Sequence, residues 1–210
     1  MPRFRVVIIA IVAVLVVGLL WFFLHTEKPI VNGDSEGTDI IAFGDSLIEG
    51  VGAEYGMALP DQLGFKLGVP VVNAGVAGST THDGVVTIRD ALDGYRPRIV
   101  ILSLGGNDFL KKVPRDEIKR NLGNIIEEIQ RHGAMVVLLG VRSGIIGGGF
   151  DDEFEELAER YGAVYVEDVL SGIFGDTRYM SDGVHPNAAG YGIIADRIVD
   201  ALVKQDIRVR

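Results

Sequence analysis

From Thr38 onward, short runs of apolar and β-branched residues alternate with longer stretches of helical periodicity. The apolar runs occupy residues 39–43, 69–73, 98–104, 134–139 and 163–166. The helical stretches occupy residues 57–67, 80–92, 114–131, 151–161 and 187–204. Continuous apolar runs of this length are typical of parallel strands that are covered on both faces. The alternation therefore predicts the α/β class, with a mainly parallel five-stranded sheet in a three-layer α/β/α sandwich.

The N-terminus differs in composition from everything that follows it. Arg3 and Arg5 precede an uncharged apolar run. As a helix rising about 1.5 Å per residue, this run nearly matches a hydrocarbon core of about 30 Å. Because arginines stay on the cytoplasmic side, we expect the folded domain outside the cytoplasmic membrane, in the periplasm or the extracellular space. The predicted segments are a basic end, a transmembrane anchor, a polar tether and the folded domain: residues 1–5, 6–24, 25–37 and 38–210.

A cleaved secretory signal is the alternative interpretation of the apolar run. Such signals have a shorter apolar region, of about 7–15 residues, followed by small residues at the cleavage site. Here the run is longer and continues into His25-Thr26-Glu27-Lys28, which is a poor context for cleavage. The sequence favours an uncleaved anchor that attaches the chain to a membrane.

Charge and cysteine content exclude several classes of function. The net charge of −9 repels phosphate backbones, so we expect no nucleic-acid partner. The chain has no cysteine, which rules out disulfides, thiolate metal sites and a cysteine nucleophile. Neither observation indicates an oligomeric state.

Reactive or turn-forming groups follow three of the predicted strands. Gly44-Asp45-Ser46-Leu47 follows the first, Asn73-Ala74-Gly75 includes the end of the second, and Gly105-Gly106-Asn107-Asp108 follows the third. Ser181-Asp182-Gly183-Val184-His185 precedes the last helix. Each of these segments alone is compatible with an ordinary turn. Because active sites of open parallel sheets lie beyond the carboxyl ends of the strands, we expect these groups to gather at one edge.

Together these groups predict a serine nucleophile. A serine hydroxyl needs a base to remove its proton, and the base needs a partner that sets its tautomer. Ser46 is the candidate nucleophile, His185 the base, and Asp182 the orienting group, since a three-residue spacing lets it reach the imidazole in a turn. The anion formed after attack needs donors placed in advance. The backbone N–H groups of Ser46 and Gly75 and the side-chain amide of Asn107 are the candidate donors.

At this level of detail the chain resembles the SGNH, or GDSL-type, esterases and lipases. That family is named for a Ser, a Gly, an Asn and a His in four blocks, which here are Ser46, Gly75, Asn107 and His185. The resemblance extends from about Thr38 to Leu202. Residues 71–75 and 104–108 are most similar to the bacterial thioesterase, lysophospholipase and arylesterase branch. The resemblance implies a flavodoxin-like SGNH-hydrolase fold and no metal or other cofactor.

Other assignments of the reactive groups are weaker. His82, with its neighbour Asp83, is the rival base, but it lies at a predicted helix start. His132 lies at a predicted helix end, where a cation suits the helix dipole. Asp182 and His185 as metal ligands lack a third His or Cys at ligand spacing. Ser46 does not lie in a Gly-x-Ser-x-Gly elbow, because Leu47-Ile48-Glu49-Gly50 follow it, which disfavours the α/β-hydrolase topology.

The expected function is a serine esterase or lipase that cleaves carboxylic esters or thioesters, such as acyl esters or lysophospholipids, through an acyl-serine intermediate. A carbohydrate or peptidoglycan O-deacetylase on the same residues is the alternative, and a non-catalytic membrane-anchored binding module is a third. The domain contains no tryptophan, the side chain on which sugars often stack, which leans away from polysaccharides. The glycine-rich segment 144–150 is a candidate lip over an acyl chain or an ordinary surface loop.

Overall fold

The structure is a computed structural model that describes residues 29–141 and 151–209, together with Leu15, Val16 and Gly18. Five parallel strands form one sheet in the order β2-β1-β3-β4-β5. The prediction of a parallel five-stranded sheet is confirmed. The strands are β1 (Asp39–Gly44), β2 (Val71–Gly75), β3 (Pro97–Ser103), β4 (Met135–Leu139) and β5 (Val164–Val166).

Helices cover both faces of the sheet, as the alternation of runs predicts. They are α1 (Ser46–Glu49), α2 (Leu59–Leu67), α3 (Thr81–Leu92), α4 (Gly106–Leu110), α5 (Arg115–Arg131), α6 (Asp151–Tyr161) and α7 (Ala188–Lys204). Because side chains of a strand alternate between faces, Ile40 and Ala42 pack with α2 and α7, whereas Ile41 and Phe43 pack with α3, α5 and α6. These two cores make the molecule a three-layer α/β/α sandwich.

The strand order determines where a site can form. β1 pairs with β2 on one side and with β3 on the other, in parallel register from Ile40 to Gly44. The chain thus winds in opposite directions from β1, and such a switch point leaves a crevice at the carboxyl ends of the strands. α1 and α4 start directly after β1 and β3, at this crevice.

The two shortest helices were not predicted from the sequence. α1 has four residues and α4 has five, and the sequence analysis interprets both segments as turns. A helix of one turn contains no repeat of the apolar pattern, so periodicity cannot indicate it. Both helices place a polar side chain at the switch point.

The described part of the predicted tether is docked against the domain. We name residues 30–39 the amino-edge clasp, because they cross the amino ends of the strands. Within it, Val31 N–H donates to the carbonyl of Gly162, and Thr38 N–H donates to that of Arg96, both at 2.8 Å. This part of the segment is therefore not a free linker.

The predicted anchor, residues 6–24, lies almost entirely outside the described residues, as do residues 25–28 of the tether and the glycine-rich segment 144–150. Across the part of the chain that the structure describes, no helix combines the length and the apolar character needed to cross a membrane.

Candidate active site

Ser46 is the first residue of α1, directly after β1. Asp45 caps this helix, since its Oδ1 accepts a hydrogen bond from Leu47 N–H at 3.0 Å. On the other side, the buried Tyr191 hydroxyl donates to the carbonyls of Val51 at 2.8 Å and of Ser46 at 3.4 Å. α1 is thereby held at both its start and its end, and Ser46 remains half-buried with its hydroxyl facing the crevice side.

A closed loop before α7 carries Asp182 and His185. An isolated antiparallel bridge pairs Met180 with Pro186. Inside the bridge, Ser181 N–H donates to the His185 carbonyl at 2.9 Å. Asp182 Oδ1 accepts from His185 N–H at 2.7 Å, so backbone bonds define the conformation of the loop.

The three predicted catalytic side chains form one hydrogen-bonded chain. His185 Nε2 lies 3.1 Å from Ser46 Oγ. His185 Nδ1 lies 2.8 Å from Asp182 Oδ2. With Nδ1–H donating to the carboxylate, Nε2 is left as an acceptor for the serine proton. Residues from opposite ends of the chain are thus brought together in the arrangement that the sequence predicts.

The two aspartates of the site have opposite electrostatic environments. Hydrogen bonds from His185 and from the Val184 N–H lower the pKa of Asp182 to about 2, so this carboxylate is ionised at neutral pH. Burial raises the pKa of Asp45 to about 6, although the Leu47 N–H bond opposes the shift. Only 5% of the Asp45 surface is exposed. Asp45 Oδ2 also accepts a hydrogen bond from Asn107 Nδ2 at 3.3 Å, a contact that no local sequence pattern indicates.

Asn107 lies in the first turn of α4 and lines the same cleft as His185. Its Nδ2 donates to the carbonyl of Ser79 at 3.0 Å and to Asp45 Oδ2 at 3.3 Å. The neighbouring Asp108 is buried and accepts hydrogen bonds from the backbone and hydroxyl of Thr81. Asp108 thus fixes α3 to α4, while Asn107, unlike Asp108, lines the cleft.

The third predicted anion donor, Gly75, is the last residue of β2. Gly75 N–H donates to Asn73 Oδ1 at 3.0 Å and is therefore already engaged within its own turn. A Cβ at position 75 would collide with the backbone of Glu49, which explains why glycine is present there. The glycine of this Asn-x-Gly pattern is therefore explained by its close packing against Glu49, and its N–H is already bonded to Asn73.

Gly78 is a second glycine of this region, and it was not among the predicted site residues. It has a φ of 81°, a conformation that favours glycine. The turn that contains it lies between α1 and α4, because Glu49 accepts from Ala77 N–H and Asn107 donates to the Ser79 carbonyl. Gly78 N–H makes no hydrogen bond to any other described residue. A second glycine three positions after Gly75, just before the α3 cap Thr80, was the available signal.

The remaining histidines are not part of this arrangement. His82 lies exposed in the first turn of α3, and Asp83 accepts hydrogen bonds from the backbone and hydroxyl of Thr80 as the helix cap. His132 ends α5, as predicted, with its Nδ1 2.9 Å from the Glu128 carbonyl. His25 is outside the described residues. Where side chains are described, no group of three or more His, Cys, Asp or Glu residues is arranged to hold a metal ion.

An open cleft begins at Ser46 and extends over apolar side chains. It encloses about 710 Å³ of empty space, part of it open to solvent. Asn107 and His185 flank the serine end. The apolar lining consists of Leu47, Leu110, Val141, Leu170, Phe174 and Val184. Such a cleft offers a reacting carbonyl at Ser46 and an apolar surface for what is attached to it.

Comparison with known proteins agrees with this geometry. The family model described as GDSL-like lipase/acylhydrolase matches residues 42–193. An arylesterase of Vibrio mimicus is 30% identical over an alignment of 177 residues, which covers 79% of this chain and 88% of that protein. The thioesterase 1/protease 1/lysophospholipase L1 of Escherichia coli (strain K12) is 27% identical over 165 residues, covering 75% of this chain and 79% of that protein.

A solved structure supports the same assignment. The crystal structure of AlinE4, described as an SGNH-hydrolase family esterase, is 34% identical in sequence and superimposes with a TM-score of 0.64, over 80% of this chain and 96% of that one. The family resemblance predicted from the four sequence blocks is confirmed. The chain belongs to the GDSL-like lipase/acylhydrolase family.

Proposed function

We propose that this protein is a serine hydrolase of carboxylic esters and thioesters, with Ser46 as nucleophile, His185 as base and Asp182 as the group that orients the base. The observation that carries the proposal is the continuous chain from Ser46 Oγ through both ring nitrogens of His185 to Asp182, at 3.1 and 2.8 Å. Relatives named as arylesterase and thioesterase/lysophospholipase support the reaction class.

In the first half-reaction, Ser46 Oγ attacks the carbonyl carbon while its proton moves to His185 Nε2. The imidazolium that forms is stabilised by the ionised Asp182, which accepts the Nδ1–H bond. His185 then gives its proton to the departing alcohol or thiol as the tetrahedral intermediate collapses. An acyl-Ser46 ester remains. In the second half-reaction a water molecule gives a proton to His185 Nε2 as its oxygen attacks the acyl carbon. The second tetrahedral intermediate then collapses: the bond between the acyl carbon and Ser46 Oγ breaks, His185 returns its proton to Ser46 Oγ, and the carboxylic acid leaves.

We assign the anion of each tetrahedral intermediate to donors from three turns. The Ser46 N–H makes no hydrogen bond within the described residues and lies beside the nucleophile. Asn107 supplies its side-chain amide, for which one existing bond must be exchanged, and the 3.3 Å contact with Asp45 is the weaker one. For the third donor we propose Gly78 N–H in place of Gly75 N–H.

The lining of the cleft supports acyl groups longer than acetyl as substrates. An acetyl ester would occupy the space at Ser46 and leave the apolar side chains beyond it in contact with water, whereas an acyl chain would cover them. Each buried methylene contributes about 0.8 kcal/mol. An O-deacetylase would use the same reactive groups, but its acetyl group would leave Leu170 and Phe174 uncovered.

Two measurements on the purified domain test this function. A fluorophosphonate probe should label one serine, which peptide mass spectrometry should locate at Ser46. Failure to label Ser46 would contradict the nucleophile assignment and revive the binding-module interpretation. With p-nitrophenyl acetate, octanoate and palmitate, kcat/KM should rise from acetate to octanoate. Preference for acetate, or for an acetylated glycan, would instead favour the O-deacetylase.

We further propose that residues 6–24 anchor the chain in the cytoplasmic membrane with the domain at 38–210 outside it. The support is the length of the apolar run and the position of Arg3 and Arg5 before it. The full chain should sediment with membranes after carbonate washing, and external protease should reach the domain in spheroplasts. A membrane-free protein that begins near Gly33 would contradict the anchor.

A further inference from the structure

The amino-edge clasp attaches the N-terminal segment at the edge of the sheet opposite the active site. Asn32 holds the centre of the clasp, because its Nδ2 donates to the carbonyls of Gln130 at 2.9 Å and Ala134 at 3.1 Å. Asn32 also has a φ of 57°, which asparagine tolerates better than most residues. Ala134 immediately precedes β4, so these bonds lie at the amino ends of the strands.

Ser46, Asn107 and His185 lie beyond the carboxyl ends of the same strands. β3 has seven residues and, at about 3.3 Å per residue, separates the two edges by about 20 Å. Thr38 bonds to Arg96 just before β3, whereas Asn107 follows it by four residues. The site and the clasp thus lie at opposite edges of the sheet.

The chain between the apolar run and the clasp is short. Residues 25–29 are five residues, which span about 17 Å at most when fully extended. If the mouth of the cleft rested on the bilayer surface, the clasp would stand farther from that surface than the length of β3, about 20 Å. This distance exceeds the reach of the linker, so the domain cannot turn its active site onto the membrane that holds it.

We propose that the anchored enzyme acts on esters dispersed in the aqueous phase, as monomers or micelles, and not on lipids embedded in the bilayer that holds its own anchor. The inference rests on the proposed anchor and on the proposed esterase function. The clasp imposes this restriction because it keeps the linker short. Releasing residues 30–38 from the domain would lengthen the linker by nine residues, about 30 Å, and the cleft could then reach the bilayer.

A matched pair of substrates isolates this effect. The full chain is reconstituted in phosphatidylcholine vesicles. One sample receives 4-methylumbelliferyl butyrate in solution. The other receives the same umbelliferyl butyrate group attached directly to the headgroup of a double-chain phosphatidylethanolamine. Both substrates present the same scissile bond, and the second one does not leave the bilayer. The measured quantity is the ratio of the bilayer rate to the solution rate.

Lengthening the linker should raise that ratio. Inserting 30 Gly/Ser residues between Lys28 and Pro29 gives a linker with a root-mean-square length of about 30 Å and a much longer maximum reach. We expect the ratio to rise by about tenfold or more, because a linker that cannot span two sites gives an effective concentration near zero. The matched control carries the same 30 residues after Arg210 and should behave like the unmodified chain.

Each outcome identifies which proposal fails. Equal ratios for the unmodified chain and the linker insertion would overturn the inference. Absence of solution hydrolysis in all variants would refute the esterase function instead. Failure of the chain to sediment with the vesicles would refute the anchor, and the inference with it.

Discussion

The two edges of the sheet differ in what their polar contacts do. At the carboxyl edge, Ser46, Asn107 and His185 are half-buried, and their hydrogen bonds join side chains that can exchange partners. At the amino edge, Asn32 donates to two backbone carbonyls that have a structural role only. The comparison indicates that the reactive groups lie at one edge and the contacts that hold the N-terminal segment lie at the other. Substitutions at the carboxyl edge should therefore alter the rate of hydrolysis, and substitutions at the amino edge should alter the free energy of unfolding.

The largest expected effect is that of Ser46→Ala on turnover. Removing the nucleophile removes the covalent route, and we expect kcat for p-nitrophenyl octanoate to fall by about 10⁵–10⁶-fold. The thermal midpoint should change little, because the Ser46 side chain is bonded only to His185 among the described residues. Ser171→Ala, an exposed serine away from the cleft, is the matched control. Near-normal turnover by Ser46→Ala would contradict the assignment of catalysis to Ser46 at the carboxyl edge of the sheet.

Asn107→Ala should have the next largest effect. Loss of one anion donor costs about 10²–10³-fold in kcat, since the bond is strongest when the carbonyl oxygen carries charge. Steady-state kinetics on the same ester separate kcat from KM. An effect restricted to KM would make Asn107 a substrate-binding residue and leave the anion to the backbone donors. Asn124→Ala, an exposed asparagine on α5, should leave both constants unchanged.

Sequence reasoning succeeded where a single local pattern determines the outcome. All five strands and the five longer helices follow from apolar runs and periodicity. The positions of Ser46, Asp182 and His185 at strand and helix ends predict that their side chains meet, as they do here, while their catalytic roles stay a prediction. Two kinds of contact could not be predicted. The engagement of Gly75 N–H by Asn73 depends on a side-chain rotamer, and the contacts of Tyr191 with Val51 and Ser46 join residues about 140 positions apart.

The third prediction concerns Asp45, where the structure supports a pH effect on stability. Its pKa is raised from 3.8 to about 6, so the folded state binds the proton more tightly than the unfolded state does. Between about pH 4 and pH 6 the unfolded chain is ionised while the folded one is not, and stability falls as the pH rises through this window. The contribution is about 3 kcal/mol. Asp45→Asn should remove it, giving urea midpoints that change less from pH 4.5 to pH 7.5.

Asp176→Asn is the control for this measurement. Hydrogen bonds from Arg178 lower the pKa of Asp176 to about 2, so its stabilising contribution has the opposite sign and is lost as the pH falls toward that value. This variant should therefore keep the fall in stability between pH 4 and 6 that Asp45→Asn removes. Identical pH profiles for wild type and Asp45→Asn would contradict the assigned shift.

The smallest effect on turnover should come from Asn32→Ala at the amino edge. Two part-buried carbonyls each lose the Asn32 donor, although that of Gln130 keeps its bond from Gly133 N–H, and we expect the free energy of unfolding to fall by about 1–3 kcal/mol. On a soluble ester, at a temperature where the variant is fully folded, kcat should remain within about twofold of wild type because the change is about 20 Å from Ser46. Denaturation and kinetics on one preparation measure both quantities. A large fall in kcat without loss of folded protein would mean that the clasp and the active site are coupled, and the separation of the two edges would then be refuted.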